Sequence, residues 1–288
     1  MRCGASWDFP DALTAGGDWR FPRRCGLMNA VLLLKLFLVP LLIALVTLAG
    51  RRWGPGVAGW LSAFPVVAGP ILFFIAVEQG ASFAANAAVG TLSAVLAMLA
   101  FGISYAWAAR RYDWPASLAL AYAGYAATVF LLSLQEATLM IAGPVVLVAL
   151  LLAPRFYPEA RSAAVNTSKP ANDMLLRMVA GAILVLLVTH FASNLGPGLS
   201  GVFAMFPVMG TVLVLFTHRS AGGAAATQLL RGMVFGFYAF STFCVVLALA
   251  LPATGIGMAF LCSVLAAGVV QALTRVWLTR HAVTQGAR

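Results

Sequence analysis

Charge is what this chain has least of. Only 9% of its 288 residues are charged, and eight acidic side chains stand against eighteen Lys and Arg. A soluble domain carries about 25% charged residues, so a water-covered globule is excluded. None of the eight carboxylates falls near the middle of an apolar run, so no proton or sodium relay through a central Asp or Glu is expected. The four cysteines show neither metal-ligand spacing nor a disulfide framework: Cys3 and Cys25 lie near the N-terminus, Cys244 and Cys262 inside apolar runs. His190 and His218 stand at opposite ends of their runs and form no ligand cluster. No nucleophile–base pairing and no phosphate-cradling glycine loop occurs. The expectation is a non-enzyme with no catalytic residue, no cofactor and no metal. Alternation of the barrel-strand kind is also missing, which leaves helices as the elements that can satisfy their own backbone in lipid.

What is present is hydrophobicity: 62% of residues are apolar, with a mean hydropathy of +0.96. Runs of about 20 apolar residues suffice to cross a hydrocarbon core. They predict nine transmembrane helices, near 30–49, 57–77, 86–109, 115–134, 137–153, 174–193, 199–217, 228–250 and 255–276. The fold class is thus an all-α membrane protein, with the lipid bilayer as its solvent. The net charge of +10 is accounted for by residues flanking the spans, and no nucleic-acid partner is expected. With the N-terminus outside, the inner side receives Arg51, Arg52, Arg110, Arg111, the basic linker 154–173, Arg177, Arg219, Arg231 and the C-terminal tail. The outer loops near 78–85, 135–136, 194–198 and 251–254 then contain no Lys or Arg. This is the positive-inside pattern of a bacterial inner membrane protein with a cytoplasmic C-terminus, and Trp53, Trp107, Trp114 and Trp277 fall near the same boundary. Residues 1–27, polar and carrying four arginines, depart from it. They are expected to be a disordered tail, or a stretch upstream of a natural start at Met28.

Residues 46–90 recur without gaps at 188–232. At a constant offset of 142, Gly54-Pro55-Gly56 aligns with Gly196-Pro197-Gly198, Gly59 with Gly201, Phe64-Pro65-Val66 with Phe206-Pro207-Val208, Gly80 with Gly222, and Gly90 with Gly232. Apolar composition could align Val and Ala, but not glycines and prolines in one register, so the chain is an internal duplication. Five predicted helices separate the starts of the copies. An odd number inserts the second copy upside down, and the charge bias reverses with it: Arg51 and Arg52 precede the first motif, Ser193 and Asn194 the second. The predicted organisation is repeat 1 over 28–134, a connecting helix and linker over 135–173, an inverted repeat 2 over 174–276, and a tail over 277–288.

Each copy carries a stripe of small residues around its GPG motif: Gly54, Gly56, Ala58 and Ser62 in the first, Gly196, Gly198, Ser200 and Ala204 in the second. Small stripes let helix backbones approach in lipid. Each stripe runs into a helix-breaking proline at Phe64-Pro65 or Phe206-Pro207, and corresponding breaks in inverted halves point to a central pathway. The pathway candidates are therefore Phe64, Pro65, Phe206 and Pro207, with the matched polar pair Asn86 and Gln228, and Arg231. Lys35 and Arg177, matched under the offset, are expected to snorkel to opposite faces. Tyr122, Tyr125, Thr128 and Ser133, and Tyr238, Ser241 and Thr242, are candidate cavity liners.

The run Gly198–Pro207, followed by Phe216, Gly222, Ala226 and Phe235-Gly236, resembles small bacterial inner-membrane proteins of the GlpM type, over about 45 residues per repeat. The resemblance implies a membrane protein built as a fused inverted pair of such units and supplies no substrate. The expected function is a small secondary transporter or permease for a small-molecule substrate. The alternative is a non-transporting membrane scaffold or accessory subunit in envelope biogenesis, and either is compatible with a homo-oligomer.

Overall fold

A computed structural model describes residues 24–135, 138–158, 173–194 and 206–286. Among them every regular element is a helix. The order is α1 (Arg24–Trp53), α2 (Pro55–Ser62), α3 (Ala68–Gln79), α4 (Ala81–Ala108), α5 (Trp114–Ser133), α6 (Leu139–Phe156), α7 (Met174–Asn194), α8 (Val208–Thr254) and α9 (Ile256–Gly286). Six helices are long and apolar enough to cross a bilayer; α3 and the stretch 174–188 of α7 are apolar but shorter. Most of the tail expected over 1–27 lies outside the described residues, as do 195–205 of the second motif.

Helix boundaries follow the glycines and prolines. Gly54, at φ 92°, caps α2, with Pro55 in the first turn, where its missing N–H costs nothing. Gly80 (φ 89°, ψ 166°) joins α3 to α4 as a single residue. Gly222 (φ 85°, ψ 171°) does the same inside α8, dividing it into segments 208–221 and 223–254. That region of backbone space is open essentially to glycine alone, which is why both joints carry it. The helix predicted over 57–77 is α2 and α3, two helices separated by residues 63–67. The proline there ends the helix instead of bending it.

Side-chain size sorts the bundle. The interior is rich in small residues: Ala84, Ala88, Ala97, Ala106, Ala226 and Ala239 are all buried. Large apolar side chains such as Phe37, Phe130, Leu131, Met140, Leu175 and Leu265 face outward. An exterior of this kind is stable in lipid and would aggregate in water.

The helix directions are set by a few contacts. Arg51, at the end of α1, reaches Asp173, just ahead of α7. Ile43, further back in α1, packs onto Gly181, further on in α7. The two helices are therefore antiparallel. Likewise Ala109, just past α4, lies against Gly223, and Gly102 lies near Leu230, so α4 and segment 223–254 are antiparallel. By contrast α2 runs parallel to 223–254, with Gly56 at Gly232 and Trp60 at Gly236.

Candidate membrane-embedded site

Both Phe-Pro-Val motifs make the same turn. The Val66 N–H donates to the Phe64 carbonyl at 2.8 Å, and the Val208 N–H to the Phe206 carbonyl at 2.8 Å. Pro207 has φ −76° and ψ 60°, the geometry of an inverse γ-turn, which the proline ring favours by holding φ near −65°. The next helix then starts on the proline carbonyl, which accepts from Gly69 (2.9 Å) in the first copy and Thr211 (2.8 Å) in the second.

A break inside an apolar bundle frees backbone groups that must find partners. At the first, the Phe64 N–H turns to Leu61 (3.2 Å), so Trp60 loses its usual helical donor. Gln271 of α9 replaces it: its Nε2 donates to the Trp60 carbonyl at 3.0 Å. Thr274, one turn on, accepts from the Trp60 indole at 3.0 Å, and the Arg275 guanidinium lies 5.6 Å from the Trp60 ring. Gln271 is only 8% exposed. Gln271→Leu is expected to cost about 1–3 kcal/mol, the desolvation cost of the carbonyl left unpaired. Gln271→Met, which keeps the length of the side chain but no donor, should not rescue it; thermal melting in detergent reads both.

The second break has different walls. Phe206 stacks on Tyr122 with ring centres 5.0 Å apart and meets Tyr125 edge-on at 6.4 Å. The Tyr122 hydroxyl and Thr211 share a 2.6 Å hydrogen bond. The residues at the same offset in α9 are Val264 and Ala267, so the two tyrosines have no counterpart in the alignment at the first break. Pro207 and Gly210 border a cavity of about 10 Å³ with Gly102, Tyr157, Met233 and Phe237. That holds one water at most. The ring of Tyr157, just past α6, enters the bundle and sets its hydroxyl against Gly102.

One stretch of α8 joins the two breaks. A Cβ on Gly59 would overlap the Leu229 carbonyl, one on Gly232 the Gly56 carbonyl, and one on Gly236 the Trp60 carbonyl. Met233 and Phe237, each next in sequence to one of these glycines, border the Pro207 cavity. The close approach thus uses Gly56, Gly59 and Ala63 on one side. Ala58 packs instead near Gly50 of α1, and the Ser62 hydroxyl bonds its own helix at Gly59 (2.7 Å). Gly54 serves the turn between α1 and α2. Pro65 and Pro207 are buried, Phe64 and Phe206 half-buried. Gln228 is half-buried at the start of α2, while Asn86 and Arg231 are exposed. Gly196, Gly198, Ser200 and Ala204 lie outside the described residues.

Arg177 does not snorkel. It is 7% exposed, its guanidinium 2.8 Å from Asp173, 3.4 Å from the Ser220 hydroxyl and 5.2 Å from the centre of the Phe216 ring. Asp173 also pairs with Arg51 at 3.1 Å, which ties α1, α7 and α8 together. Asp173 precedes Arg177 by four residues, a spacing that by itself signals a helical ion pair. Gln271 was equally visible, as an isolated amide in an apolar run. Nearby, the Tyr105 hydroxyl and His218 Nδ1 lie 2.9 Å apart. Among the described residues, no group of His, Cys, Asp or Glu is placed to hold a metal. Compared with family models, curated proteins and solved structures, the chain matches none.

Proposed function

We propose that the protein is a small secondary permease of the bacterial inner membrane. In this reading it crosses nine times as two inverted four-helix repeats joined by α6, with the N-terminus outside and the basic end in the cytoplasm. The observation that carries it is the repeated helix break: an inverse γ-turn at Pro65 and at Pro207, each followed fifteen residues later by a positive-φ glycine. The pairs of helices equivalent under the 142-residue offset, α1 with α7 and α4 with segment 223–254, pack antiparallel, as copies of opposite orientation do. Matched broken helices in such halves are where transporters bind their cargo and rock between states. The closed Pro207 cavity corresponds, on this reading, to an occluded conformation.

The test is uptake by the purified protein in vesicles, across amino acids, sugars and organic anions. Pro65→Ala and Pro207→Ala are expected each to lower flux by about tenfold, equivalent to about 1.4 kcal/mol on a conformational barrier, while melting temperature changes little. Absence of flux for every compound counts against the permease. The second reading, a non-transporting scaffold in envelope biogenesis, is favoured by the small size of the Pro207 cavity. It predicts a stoichiometric co-purifying partner and no flux.

A further inference from the structure

A second cleft lies away from the helix breaks. It lies at the basic end of the α4–α5 hairpin, has a volume of about 540 Å³, and is lined by Ser104, Trp107, Arg110, Arg111, Tyr112 and Leu120 among others. Its rim is cationic. The ion pairs among the described residues join Arg51 and Arg177 to Asp173 and leave Arg110 and Arg111 without a carboxylate. Trp107 is fixed by its indole N–H, which donates to the Phe156 carbonyl at 2.8 Å. The Arg110 guanidinium lies 5.1 Å from the centre of the Trp107 ring. The lining also has an apolar part: Leu120, about 9 Å along α5 from its start at 1.5 Å per residue, is half exposed.

We infer that this cleft binds the headgroup of an anionic glycerophospholipid. Two guanidiniums with no carboxylate partner among the described residues supply charge and N–H donors for a phosphodiester, the class of contact that bidentate arginine makes best. Trp107 and Tyr112 belong at headgroup depth, where amphipathic rings settle. Leu120 gives the upper acyl chain an apolar bed, which a soluble phosphate has no use for. Basic pockets between transmembrane helices recognise lipid headgroups in this way. The duplication supplies an internal comparison. At the same offset in the second copy stand Leu249 for Trp107, Pro252 for Arg110, Ala253 for Arg111 and Thr254 for Tyr112. Every charged and aromatic element of the rim is missing there, so the site belongs to one end of the molecule only, whichever way the protein is inserted.

The experiment titrates the full-length detergent-purified protein with phosphatidylglycerol, phosphatidylcholine or inorganic phosphate, reading bound lipid by native mass spectrometry and stabilisation by thermal melting. Phosphatidylglycerol is expected to bind and stabilise, phosphatidylcholine and phosphate not. The Arg110→Gln/Arg111→Gln variant should bind phosphatidylglycerol about 30-fold more weakly, at roughly fivefold per basic residue near the surface. Its melting temperature without lipid should be unchanged, which shows that it folds. Removing equal charge from the same end with Arg52→Gln/Arg275→Gln should leave most of the binding. Equal loss in both variants, equal stabilisation by inorganic phosphate, or undiminished binding by Arg110→Gln/Arg111→Gln would each overturn the assignment.

Discussion

Gly59→Ala and Gly232→Ala are expected to be among the most damaging small substitutions in the protein, each costing about 3 kcal/mol or more. The added methyl would overlap backbone, the Leu229 carbonyl in one case and the Gly56 carbonyl in the other. Backbone cannot rotate aside as a side chain can, so α2 must move bodily off α8. Overpacking of a tight core costs typically 1–3 kcal/mol where side chains give way, and here they cannot. Gly268→Ala is the control. It lies exposed on α9, nothing among the described residues stands within 4 Å of an added Cβ, and a mid-helix alanine should stabilise by about 0.5–1 kcal/mol. Unfolding midpoints in a mild detergent with increasing dodecyl sulfate would rank the three. If Gly59→Ala ranked with Gly268→Ala, the close crossing of α2 and α8 would be refuted. The two breaks would then have no common element between them.

Arg177→Met is expected to cost about 3 kcal/mol, at the low end for breaking a buried ion pair, because Asp173 keeps Arg51 at 3.1 Å. Both side chains are largely withdrawn from solvent, with exposures of 9% for Arg177 and 15% for Asp173, so screening does not discount the effect. The loss is not additive. Asp173→Asn combined with Arg177→Met removes both charges of the buried pair and should be less destabilised than the sum of the singles, because the charge that loses Asp173, Arg51, has a side chain 35% exposed. Arg51 also contacts Asp173, so the recovery is partial. An arginine that merely snorkelled would give a small effect and no coupling. The same two-fold set of unfolding curves therefore separates the two roles.

Much of the architecture is legible from the chain because it depends on local properties. Apolar run length marks α1, α4, α5 and α6 within a few residues of where they lie. The aligned Gly80 and Gly222 are legible as special positions, and both take the same positive-φ backbone, since no other residue adopts it without strain. Pro65 and Pro207 are legible as breaks. Their severity is not: a kink within a continuous helix and an interruption between α2 and α3 look alike in sequence. What separates them is whether distant groups take up the freed carbonyls, and Gln271, 211 residues from Trp60 in sequence, does so.

The candidate site shows the same division. The small-residue stripe was readable, but not which of its faces meets a neighbour. Periodicity favours Gly54, Ala58 and Ser62, whereas the crossing uses Gly56, Gly59 and Ala63, because α8 approaches from that side. Composition, patterning and the glycine–proline register were enough to mark an all-helical protein with helices apolar enough to cross a membrane and with two matched breaks: hydrophobicity and backbone preference belong to each residue on its own. Burial of Arg177, the tyrosine wall around Phe206, the small cavity beside Pro207 and the cleft at Arg110 were decided only by tertiary structure, because each depends on which side chains arrive from remote helices and on how little room they leave.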